Sequence, residues 1–73
     1  MKKSTLDLIS LIGSNKIVID KELEKHGFVL DDYQEGGAFS FAIYRYQSIV
    51  VREIHIKFEV KEQGEFADTI IIC

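Results

Sequence analysis

The run from Phe39 to Val60, FSFAIYRYQSIVVREIHIKFEV, constrains the fold more than any other part of the chain. Phe39, Phe41 and Ile43 alternate with Ser40 and Ala42, while Ile54, Ile56, Phe58 and Val60 alternate with Glu53, His55, Lys57 and Glu59. Successive side chains leave a strand on opposite sides, so a repeat of two sustained over this length predicts two half-buried strands. Their adjacency predicts a hairpin. With Gln47-Ser48 as a two-residue turn, Tyr46 pairs with Ile49, Phe41 lies opposite Ile54 and Phe39 opposite Ile56. This register unites the two apolar sets on one face, and a slip of one residue would separate them. Gln-Ser is not a favoured pair for the mirror-image turns that close such hairpins, which leaves a bulge or a longer loop as the alternative.

Before the hairpin, Ser4 is placed to cap a helix through Leu6, Leu8, Ile9, Leu11 and Ile12, with Asp7 near its positive end and Gly13 as its stop. A second helix is expected from about Ile17 or Asp20 to His26, with Ile19 and Leu23 inward and Lys21, Glu22, Glu24 and Lys25 in water. Gly27 supplies its left-handed stop. An extended reading of Ile17 to Ile19 stands beside the helical one. FVLDDY after Gly27 begins a strand, and Gly36-Gly37 turns it into the next. Leu30 is then expected opposite Ile43 and Phe28 opposite Arg45, with Asp32 facing Phe41 unless the ladder bulges there. KEQGE, from Lys61 to Glu65, connects to a last strand from Phe66 to Cys73, apolar on both the Ile70/Ile72 and Ile71/Cys73 sides. The expected architecture is α+β, with two short N-terminal helices packed on one face of an antiparallel four-stranded meander (ααββββ) in two layers.

At 73 residues the chain is read as one small domain, 1–73, able to bury only about 60% of the surface its unfolded form exposes. Cys73, the only cysteine, excludes an intramolecular disulfide and points to a reducing, cytoplasmic setting. MKKSTLDLISLIG begins like a signal peptide, but Asp7 interrupts its apolar stretch and no small-residue cleavage site follows. No stretch approaches the ~20 apolar residues that span a bilayer. The formal net charge of -3 argues against general affinity for phosphate backbones.

No catalytic, cofactor or metal motif stands out. His26 and His55 fall in different elements and lack converging ligands, so His26 reads as a helix-end residue and His55 as part of a solvated strand face. Asp31, Asp32 and Glu35 match no calcium loop and read as a solubilising turn. Gly36-Gly37 precedes a strand and not a helix, so it forms no phosphate cradle. Cys73 has no sequence neighbour that would lower its thiol pKa. The hairpin tip is the candidate binding surface. In the expected register Tyr44 faces Val51 and Tyr46 faces Ile49 on the outer side of the sheet, while Arg45 and Arg52 project from the other side. Tyrosine and arginine dominate binding hot spots because they join apolar area to polar ends.

These readings favour a small non-enzymatic protein-binding module, of the inhibitor, immunity, antitoxin or phage-regulator kind, acting through an exposed sheet face or edge. Its partner is another protein or a second copy pairing outer faces. The alternative is a nucleic-acid-binding domain using Arg45, Arg52 and Lys57 with Tyr44 and Tyr46. ELEKHGFVLDDYQEGG followed by FSF resembles the opening of small HicA-type RNA-cleaving toxins, which have a double-stranded-RNA-binding-like fold. The family's histidine after the turn has no counterpart, since Gly37 and Ala38 stand there, and the helix that should follow is absent. Ribonuclease activity is therefore not expected.

Overall fold

The computed structural model describes residues 7–46 and 52–73. Two helices, α1 (Leu8–Leu11) and α2 (Lys16–Lys25), precede four strands, β1 (Phe28–Glu35), β2 (Phe39–Tyr46), β3 (Arg52–Lys61) and β4 (Gly64–Ile72). The strands form one antiparallel sheet in the order β1-β2-β3-β4, with the helices against one face. This is the two-layer α+β meander expected from the sequence.

Local chemistry sets the helix ends. Asp7, expected in the first turn of α1, is its cap, and its carboxylate accepts from the Ser10 amide. Ser4 lies outside the described residues. Asn15 caps α2 by accepting from the Ile17 amide at 2.8 Å, which makes Ile17 to Ile19 helical. Ile19 and Leu23, four residues apart, share one face and are fully buried. Gly27 ends the helix at φ +87°, and a Cβ there would stand 2.7 Å from the Tyr46 ring, so both conformation and space call for glycine.

The register between β2 and β3 departs from the expected one. Tyr46 pairs with Arg52, Phe41 with Lys57 and Phe39 with Glu59. Against the expected pairing this is a shift of three residues, and any odd shift exchanges the two faces of a strand. Ser40, Ala42 and Tyr44 therefore join Ile54, Ile56 and Phe58 in the core beneath the helices, while Phe39, Phe41 and Ile43 lie on the outer face. Helix α2 accounts for the choice. Small side chains at Ser40 and Ala42 let the helix approach the sheet closely, and the Tyr44 hydroxyl reaches up to donate to Asp20 on α2. Two phenylalanines in those places would hold the helix off. The expected turn at Gln47-Ser48 falls in the segment 47–51, outside the described residues.

The remaining pairings are closer to expectation. Gly36-Gly37 does turn β1 into β2, and the Gly36 amide donates to the Phe39 carbonyl at 2.8 Å. The β1–β2 ladder bulges at Asp31, so Leu30 faces Tyr44 in place of Ile43, Phe28 faces Tyr46 in place of Arg45, and Asp32 faces Ile43 in place of Phe41. The last strand begins at Gly64 and bulges at Asp68, with Ile70 half-buried toward the core and Ile71 on the outer face. Its edge is partly covered from the opposite end of the chain: Gly13 donates to the Ala67 carbonyl and the Ala67 amide donates to Ser14.

Candidate functional site

The face swap decides which side chains the protein presents. The outer face carries Val29 from β1, then Phe39, Phe41, Ile43 and Arg45 from β2, Glu53, His55, Lys57 and Glu59 from β3, and Thr69 and Ile71 from β4. Phe41 is 49% exposed and Ile71 55% exposed. Between them runs a trough of about 340 Å³. Phe41 and Ile43 form one wall, Thr69 and Ile71 the other, and His55 and Lys57 rise from the floor on β3. No described residue of the helical layer lines it.

Ion pairs fix the charged groups along this face. Arg45 donates to Glu53 at 2.7 Å and lies 3.5 Å from Asp31, while the His55 Nε2 is 2.9 Å from the other Glu53 oxygen. Lys57 stands 4.3 Å above the Phe39 ring and 3.8 Å from Asp68. Hydrogen bonding to His55 and then to Arg45 holds the Glu53 carboxyl below its ordinary value. A depressed carboxylate pKa adds stability above the ordinary glutamate range of about 4.3 and loses it as pH falls through the lowered value. Glu53→Gln is therefore expected to flatten the acid limb of stability against pH, checked by urea melts between about pH 3 and 6.

A second polar cluster lies between the layers. Asp20 accepts from Tyr44 and from Lys16, the Lys16 ammonium sits 4.9 Å from the centre of the Tyr33 ring, and Glu65 accepts from both Tyr33 and Ser40. Its members satisfy one another, which is what burial of polar groups demands. Among the described residues no three His, Cys, Asp or Glu side chains are arranged to hold a metal ion. No helix among them is long and apolar enough to cross a membrane.

The expected tip residues disperse. Tyr44 is 1% exposed in the core, and Tyr46 is half-buried on the same side against Phe28, with ring centres 5.2 Å apart. Arg45 is on the outer face as one member of the Asp31–Glu53 network. Arg52 is exposed on the helix side, and Ile49 and Val51 lie outside the described residues. The trough is built instead from Phe41 and Ile43, expected in the core, from Thr69 and Ile71 on β4, and from His55 and Lys57, expected on a solvated strand face. The missed signal was the pair of small residues, Ser40 and Ala42, which mark the helix-covered side of β2. No protein-family model, curated protein or solved structure matches the chain.

Proposed function

We propose that this chain is a small, non-enzymatic, cytoplasmic binding module that receives an amphipathic helix of a protein partner in the outer trough. The observation that carries the reading is the exposed apolar wall of Phe41, Ile43 and Ile71 on a sheet face that the helices do not cover. Its walls stand on β2 and β4, two strand spacings or about 9.5 Å apart, a width that admits the apolar ridge of one helix. His55 and Lys57 on the floor supply polar ends for orientation. Nucleic acid is the poorer fit, because Arg45 is neutralised by Glu53 and Asp31, Lys57 faces Asp68, and the net charge is -3.

The test is affinity capture from the native host, followed by amide chemical-shift mapping of the captured partner's helix on the labelled protein. Phe41→Asp and Thr69→Glu place charge on opposite walls of the trough. Each is expected to weaken binding by at least about 30-fold with the circular dichroism spectrum unchanged. A partner retained at wild-type affinity by both variants, with shifts that avoid Phe41, Ile43 and His55, overturns the reading.

A further inference from the structure

The β4 edge holds pairing capacity that the fold does not use. The Cys73 amide donates to the Glu53 carbonyl at 2.9 Å. Main-chain groups alternate in direction along an antiparallel strand, so those of Thr69 and Ile71 turn toward β3 and those of Ile70 and Ile72 turn outward. Farther back on the same edge, the outward groups of Ala67 are taken by Gly13 and Ser14. Among the described residues nothing meets those of Ile70 and Ile72. From Thr69 to Ile72 the strand also lacks charge, proline and bulge, the devices by which edge strands avoid pairing. The opposite edge has two of them, a bulge at Asp31 and the acids Asp31, Asp32 and Glu35.

Helix α1 flanks the open segment. Leu8, Ile9 and Ile12 line, with Ile70 and Ile72, an apolar groove of about 200 Å³. Ile9, Ile12 and Ile72 are 85%, 48% and 64% exposed.

We propose that two copies of this chain pair antiparallel through β4 about a two-fold axis at Ile71, so that Ile70 of each exchanges both main-chain hydrogen bonds with Ile72 of the other. Ile71 then meets its counterpart on the outer face, while Ile72, Ile9 and Ile12 gather across the axis on the helix side. The bulged, acidic β1 edge is a poor complement to an apolar strand, so assembly closes at two copies and does not continue head to tail. Burying these isoleucines and the strand edge removes on the order of 1,000 Å² in total, at the small end of specific interfaces, so a weak dimer with a dissociation constant of about micromolar is expected. The product is a continuous eight-stranded sheet carrying two outer troughs. The dimer forms whatever the trough binds.

Sedimentation velocity from about 1 to 200 μM is expected to find a concentration-dependent dimer, with the Ile70 and Ile72 amides exchanging more slowly at the upper end. Ile72→Pro removes an outward N–H and no β3 bond, and Ile72→Lys places charge beside the axis; both are expected to be monomers with wild-type circular dichroism. Phe41→Asp, which removes docking in the trough, is expected to leave the dimer intact. A wild type that stays monomeric over the range overturns the proposal. So do Ile70 and Ile72 amides that exchange equally fast at both ends of it, and a dimer that survives Ile72→Lys but dissociates on Phe41→Asp.

Discussion

Phe58→Ala is expected to destabilise the protein by about 3–5 kcal/mol, whereas Phe41→Ala should cost less than about 1.5 kcal/mol. Phe58 is fully buried beneath the helices, and its removal both forfeits transfer free energy and opens a cavity among Ile19, Leu23, Ala42 and Ile56 that close packing prevents from collapsing. A chain of this length has a total stability of only about 4–11 kcal/mol, so the first substitution leaves the protein marginal or unfolded at 37 °C. Phe41 is half exposed and loses little that water had not already reached. Urea titrations of the two variants also separate the registers. With Phe41 opposite Ile54, both substitutions would fall in the core and cost similar amounts; with Phe41 opposite Lys57, only one does.

Tyr44→Ala should be nearly as damaging, at about 3–5 kcal/mol, because its ring fills the centre of the same cluster. The informative comparison is Tyr44→Phe, which keeps the ring and removes only the hydroxyl that donates to Asp20. A hydrogen bond to a carboxylate is worth about 1.5–3 kcal/mol, and the lower end applies because Asp20 keeps Lys16 at 2.9 Å. The same hydroxyl governs behaviour in base. Burial foremost, and then the bond to Asp20, push the Tyr44 phenol above its ordinary value. A raised phenol pKa gives stability that is complete below the unfolded value of about 10 and is lost as pH rises above it, since only the unfolded chain can release that proton. Denaturation midpoints measured from about pH 8 to 11 should therefore fall for the wild type and fall less steeply for Tyr44→Phe. Tyr33, whose phenol is also raised, first through its hydrogen bond to Glu65, contributes to the slope that remains.

The elements were legible in the sequence because each has a local cause. Period-two alternation placed β2 and β3, Gly27 and Gly36-Gly37 placed the breaks, and the spacing of Ile19 and Leu23 gave the buried face of α2. The bulge in the β1–β2 ladder was legible only as a way to keep Asp32 off Phe41, and its place at Asp31 leaves Asp32 opposite Ile43 on the outer face. The pairing of β2 with β3 was not legible, because both of its candidate faces are apolar enough to be buried. Phe39, Phe41 and Ile43 outrank Ser40, Ala42 and Tyr44 in hydrophobicity. A helix lying across the sheet reverses that ranking, since it needs small residues beneath it and a polar atom within reach of Asp20. The candidate site moved with the register.

The bonds joining Gly13 and Ser14 to Ala67 have a kinetic consequence. Every strand of the meander pairs with its neighbour in sequence, so the sheet can zip from its hairpins at little cost in loop-closure entropy. The ties at Ala67 join distant segments of the chain and are expected to repay that entropy only after the sheet exists. Helix docking on β4 is thus expected to be a late closure in folding, and the same ties to be among the first to open when the native state breathes, which amide exchange at Gly13 and Ala67 would show.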